Sequence, residues 1–356
     1  MDFALSEEQL QLQDSLDRML VDRLPLERVR DVVEEGASHD DEGWQVLAEL
    51  GVPGLLVPEQ YGGAGLNLLD AALVQETLGR HVAPLAWLGS GVLGPLALAS
   101  AGSDTQKERW LPAFAEGSLH CAVALSEATG ARDGAGVKSE SGTLSGTALF
   151  VHGNRKAEIV LVAATDGLVY LAQMVDAEYS ALESIDKTQC LGELRFDFVA
   201  AEPLGSADTL PVLLDAARVM LAADTLGAAQ HMLEKAVAYA GERKQFNRVI
   251  ASFQAVKHLC AEMAAEIEPA RSLVWYAAHA FDAVPEERHL VACHAKAHLA
   301  EIGRFVARTA TEVHGGMGFT DLLGLHYWFK RIGLNRQLLG SPERLREEAA
   351  RAQGWA

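Results

Sequence analysis

The segment "ERKQFNRVIASFQAVKH", Glu242 to His258, gathers groups suited to holding a flat, negatively charged molecule. Arg243 is a planar, permanently charged donor that matches a pyrophosphate. Phe246 and Phe253 offer flat faces, and Gln254 supplies an amide able to hydrogen-bond an adenine or a ribityl chain. Taken alone, the same residues also fit a plain turn between two helices with its aromatics in the core.

Two other clusters invite a chemical reading. In "ACHAKAHLAE" His294 and His298 stand one helical turn apart, a spacing that suits a metal, but neither an HExxH glutamate nor a second cysteine pair accompanies them. Surface or helix-contact histidines are the expected role, and no metal site is assigned. "HGGMGF", His314 to Phe319, follows a helix rather than a strand and lacks GxGxxG spacing, so it is no dinucleotide fingerprint. Gly315, Gly316 and Gly318 are more than a helix stop needs, which points to a close approach of backbone or ligand.

The elements that position these residues follow from composition and periodicity. At 356 residues the chain can bury a large core in two or three packed units. Its formal charge of −19 argues against nucleic acid and anionic membranes as partners. An anionic ligand therefore needs a local basic cluster, and Arg243, Lys244 and Arg248 form one. Four dispersed cysteines without a CxxC favour reduced thiols in a cytoplasmic protein, and "MDFALSEEQL" has no signal-peptide character. The uncharged run Val82 to Ser103 is broken by prolines and glycines, so it reads as buried helix and not as a membrane span.

Helical spacing dominates the first third, beginning with a capping-box pattern at Ser6 and Gln9. From about His120 the texture changes to short runs rich in Val, Leu, Phe and Thr, as in an antiparallel sheet or barrel. Helix returns after Pro203 in three long segments, roughly 209–241, 252–282 and 285–314. The expected fold is α+β, with an N-terminal helical domain over 1–118, a central β domain over 119–205 and a helical bundle over 206–356.

With "YGGAGL", "VALSEATGARDGA", "YAGERKQFNRVIASFQAVKH" and "TEVHGGMGFT" in this order, the chain resembles the acyl-CoA dehydrogenase family along nearly its whole length. The resemblance implies FAD as cofactor, an acyl-CoA thioester as substrate and an electron-accepting flavoprotein as redox partner. It also implies that Arg243, Phe246 and Gln254 reach the FAD of a neighbouring subunit, joined by Glu312, Gly315 and Gly316 from the family's QxxGG segment. Glu312 stands where glutamine is usual, and a carboxylate there suits a ribose hydroxyl better than a phosphate. Ser126 replaces a threonine and keeps a hydroxyl for the chain's own flavin side.

Other family positions are altered. The family removes an α-proton with a carboxylate at one of two places, and here those places hold Ala217 and Leu339, neither of which accepts a proton. Asp215 lies on nearly the opposite helix face, Asp224 two turns on, and Glu343 at least a turn past Leu339. Phe150, His152 and Arg132 replace the tryptophan, threonine and serine of the flavin-seating strands. The sequence thus reads as the subunit of a heteromeric, FAD-dependent acyl-CoA dehydrogenase that lacks the base and completes a partner's cofactor site. A self-sufficient homo-oligomer with a base elsewhere, or a silent acyl-CoA-binding scaffold, are the alternatives.

Overall fold

The computed structural model describes residues 4–37, 39–130, 135–153 and 156–355. Six helices come first: α1 (Glu7–Arg23), α2 (Leu26–Glu34), α3 (Asp41–Glu49), α4 (Leu68–Arg80), α5 (Gly94–Ala101) and α6 (Asp104–Ala115). Ser6 and Gln9 cap α1 reciprocally, as their spacing predicts, and Ser103 with Gln106 does the same for α6. Satisfying two orphan N–H groups at once, each box fixes where its helix begins. The uncharged run is buried, broken helix: a π turn over Leu88–Leu93 leads into α5. Among the described residues no helix is long and apolar enough to cross a membrane.

Seven strands follow, β1 (Cys121–Ala124), β2 (Gly136–Glu140), β3 (Thr143–His152), β4 (Ile159–Ala163), β5 (Val169–Gln173), β6 (Glu178–Ala181) and β7 (Leu191–Leu204). They run in the order β2-β3-β1-β4-β5-β7-β6, and β3 pairs with β7 as well, which closes five strands into a small barrel. Period-two alternation divides the side chains between two cores. Val160 and Val162 of β4 point into the barrel, while Ile159 and Leu161 join the helical core. That double burial explains why "EIVLVAAT" reads as an unbroken apolar run.

The bundle consists of α7 (Thr209–Glu242), α8 (Gln254–Ala283), α9 (Arg288–His314), α10 (Leu325–Gln337) and α11 (Pro342–Ala352), with the hairpin strands β8 (Lys244–Gln245) and β9 (Arg248–Val249) between α7 and α8. Helix α7 is buried along most of its length and crosses α4 closely. A Cβ on Gly227 would lie 1.8 Å from the Glu76 carbonyl oxygen, and one on Gly79 would lie 2.2 Å from that of Asp224. Only glycine permits this approach of two backbones.

Burial also fixes charge states. His39 and His152 are desolvated, and each is held near pH 4 instead of the ordinary 6.5. His39 packs edge-on to His120 at the junction of helices and barrel. A histidine whose folded pKa is depressed contributes stability above its unfolded pKa and loses it as pH falls toward the folded one. Unfolding free energies from urea titration should therefore drop between about pH 6.5 and pH 4, by up to about 3 kcal/mol per group. Replacing His39 by Asn should flatten that slope, and an unchanged slope would show that other groups set it.

Candidate functional site

The hairpin after α7 is a two-residue turn. Phe246 (φ 50°) and Asn247 (φ 61°) both occupy the left-handed region, as a type I′ connection requires. This geometry lifts Phe246 to the tip, 85% exposed. Its ring meets Phe253 edge-on at 6.1 Å, and the Arg248 guanidinium lies over the other ring at 4.0 Å. Arg243 caps α7 through its backbone N–H, and its side chain is exposed and forms no ion pair among the described residues. Gln254 opens α8, also exposed.

The end of α9 lies beside this hairpin because Tyr239 of α7 stacks on His314 at 4.6 Å. Glu312, Gly315 and Gly316 are exposed there, and a Cβ on either glycine would meet nothing within 4 Å. Gly318 differs: its Cβ would lie 2.7 Å from the Thr311 carbonyl oxygen, so its glycine serves the turn itself. Thus the six outward residues occupy one end of the bundle, with a guanidinium and an amide that have no partner among the described residues and with open backbone. His294 and His298, by contrast, face solvent along α9.

Ser126 lies elsewhere, on the rim of a largely apolar cavity of about 380 Å³ between the barrel and the α10–α11 turn. Phe150, Leu338, Leu339 and Arg344 also line it. Phe150 sits at a bulge of β3 with φ 50° and is half exposed. The Ser126 hydroxyl donates to the Phe150 carbonyl at 3.3 Å. Glu127 accepts from the Leu149 N–H through Oε1, while its Oε2 is buried without a partner. Arg132 lies outside the described residues.

Asp224, Asp215 and Glu343, the carboxylates nearest the base positions in sequence, each have partners. Asp224 Oδ1 accepts from Gln75 (2.8 Å) and Arg331 (3.2 Å), and Oδ2 accepts from Asn335 (2.6 Å). Arg331 is 1% exposed and also holds Asp186 (2.8 Å) and Thr188 Oγ1 (2.5 Å). With the Gln189 amide oriented to satisfy both ends, it accepts from Arg331 and donates to His152 Nε2 at 2.7 Å. That acceptor role agrees with the neutral His152. Asp215 is buried against His289 and Arg218, and Glu343 is at the surface near Arg336. Ala217 itself is fully buried, and a void further along its helix, lined by Met220, Leu221 and Asp224, measures only about 10 Å³. The sequence shows alanine at position 217. It does not show how tightly the helix is packed around Asp224, because Gln75, His152, Gln189 and Asn335 come from distant segments.

Helical domain, small barrel and helical bundle in this order define a class. Residues 6–118 match the acyl-CoA dehydrogenase N-terminal domain and residues 210–354 the C-terminal domain, and the chain belongs to the acyl-CoA dehydrogenase family of FAD-dependent oxidoreductases. Among its relatives is the acyl-CoA dehydrogenase IpdE2 of Mycobacterium tuberculosis, 32% identical, with 94% of each chain covered. A solved steroid ACAD, the Tcur3481-Tcur3483 G363A variant, is 32% identical over 98% of both chains, with a TM-score of 0.90. The ChsE4-ChsE5 complex of Mycobacterium tuberculosis contains a chain 26% identical over the full length of both, with a TM-score of 0.92.

The residues present fit FAD unevenly. At the bundle end, unpaired donors and open glycines suit a phosphate-bearing dinucleotide. At the barrel cavity, the Ser126 hydroxyl is engaged and an uncompensated carboxylate oxygen of Glu127 is buried nearby, so that side does not fit a flavin ring well.

A carboxylate introduced at position 217 should therefore not act as a base. Ala217→Glu places a charge at a fully buried position and should cost about 3 kcal/mol or more in a urea titration. The purified variant should show no gain in acyl-CoA dehydrogenation. Turnover from a stably folded Ala217→Glu chain would mean that substrate space exists beside α7.

Proposed function

We propose that this chain is the subunit of a heteromeric acyl-CoA dehydrogenase that completes the FAD site of a catalytic partner and bears no base of its own. The observation that carries this reading is the asymmetry between its two halves. The outward cluster of Arg243, Phe246, Gln254, Glu312, Gly315 and Gly316 keeps its donors free, whereas positions 217 and 339 hold buried Ala and Leu and the nearby aspartates are salt-bridged. A silent scaffold has no need of an unpaired arginine on an aromatic hairpin.

FAD, when bound, supplies the hydride acceptor for α,β-dehydrogenation of an acyl-CoA thioester. In this division of labour Arg243 neutralises phosphate charge, Phe246 covers an apolar face, Gln254 hydrogen-bonds the cofactor and Glu312 accepts from a ribose hydroxyl. The proton is taken by the partner's glutamate. Likeness to a steroid ACAD and to the two-component ChsE4-ChsE5 complex supports a partner subunit and a CoA thioester of a steroid-derived acid as substrate class. An electron-accepting flavoprotein then reoxidises the assembly.

Purified alone with added FAD and a panel of acyl-CoA thioesters, the chain should turn over little or nothing in an acceptor-linked assay, since loss of a positioned base costs about 10²- to 10⁴-fold. Activity should appear on adding the partner and vanish when the partner's glutamate becomes glutamine. Robust turnover by the single chain would instead establish a self-sufficient homo-oligomer. Within the active assembly, Arg243→Ala should weaken FAD retention by about 1.5–3 kcal/mol. Unchanged flavin content after gel filtration would remove Arg243 from the cofactor site.

A further inference from the structure

Helix α11 rests on α9 through a small core of its own, Cys293 and Ala297 against Leu345 and Ala349, separate from the main helical core. Beside it, His289 and Cys293 stand one turn apart on α9 and face Glu348 of α11. A ring nitrogen of His289, the thiol sulfur and a carboxylate oxygen of Glu348 all lie within 4.8 Å of one another. His289 Nε2 is 3.9 Å from Cys293 Sγ, long for a hydrogen bond. Nitrogen and sulfur ligands of a tetrahedral zinc, at about 2.0–2.1 Å and about 2.3 Å from the metal, sit roughly 3.5 Å apart. The other ring nitrogen, Nδ1, is held at 2.9 Å by Asp215. A carboxylate behind a ligating histidine orients its ring and raises its basicity.

From these positions we propose that His289, Cys293 and Glu348 form a binding site for a borderline-soft divalent cation of the zinc class, which fastens α11 to α9. His289 is 44% exposed at its side chain, leaving an entry path and room for a water as fourth ligand. Arg218 is the main opposing group, with Nη1 3.6 Å from Sγ and Nη2 2.8 Å from Glu348 Oε2. Its Nε is fixed on the Leu339 carbonyl, and Nη1 also has Asp215 at 3.6 Å. On loading, the guanidinium keeps Leu339, Asp215 and the outer side of Glu348, and the sulfur passes to the metal. Arg344 holds the other oxygen of Glu348 at 2.9 Å, and Lys296 turns its amine to the Arg336 carbonyl at 3.5 Å. Thiolate, Glu348 and Asp215 supply three negative charges against these cations.

Cobalt(II) titration of the reduced, full-length chain tests this directly. One equivalent should give a thiolate-to-cobalt charge-transfer band with d–d bands of tetrahedral intensity, and zinc should bleach both. Zinc should also raise the melting temperature, as any ligand of the native state does. Cys293→Ser should abolish the charge-transfer band, and His289→Gln should weaken binding at least 10-fold, while a His294→Gln/His298→Gln control should bind like wild type. Absence of the band in the wild-type chain overturns the proposal whatever the variants do. So does a band that persists in Cys293→Ser, which would place the metal at another thiol. Flavin content and turnover do not enter these readouts, so the result stands apart from the proposed dehydrogenase role.

Discussion

A single guanidinium, that of Arg331, ties the three parts of this molecule together. It leaves α10, meets Asp186 and Thr188 from the segment between β6 and β7, Asp224 from α7, and the carbonyls of Val82 and Ala83 beyond α4. Every one of these partners is otherwise a desolvation liability. A buried charge is tolerable only when its hydrogen-bonding capacity is filled, and removing the guanidinium would leave two buried aspartates without this countercharge. The arrangement therefore demands that helical domain, barrel and bundle meet in one geometry.

The same network bears on chemistry. A general base must be free to accept a proton, yet Asp224 is held by three donors, and the most plausible acid on that helix is thereby converted into a structural group. Gln75, His152, Gln189 and Asn335 line a void of only about 10 Å³ beside it. The interior around Asp224 is thus a polar joint, and a largely apolar cavity lies apart from it, beside Leu339. The outward face shows the opposite trend, since its arginine, glutamine and glycines contribute almost nothing to the packing of their own chain.

That contrast explains what could be read without coordinates. Arg243, Phe246 and Gln254 are close in sequence, so their local motif survives in the string of letters, and the helix cap at Ser6 is legible for the same reason. The double apolar run of β4 marks a strand buried on both sides. Closure of the barrel through β3 and β7 was beyond reach, because strand pairing across the intervening residues leaves no local trace. The Arg331 network was equally hidden: its ion pairs span separations of 107 and 145 residues. His289, Cys293 and Glu348 were overlooked because the neighbouring His294 and His298 have the more conspicuous spacing, and only the rotation of α9 shows which pair faces inward.

The tight turn that carries Phe246 has a kinetic implication. An aromatic residue at positive φ is uncommon, and the hairpin holds it there through the β8–β9 ladder and the Phe253 contact, with Arg248 lying on the Phe253 ring. The conformational entropy of ordering that tip is consequently lost when the chain folds, before any second subunit arrives. In the proposed assembly, recognition would be a meeting of preformed surfaces, with its speed set by diffusion and by the basic patch of an otherwise acidic protein and not by a loop searching for its shape.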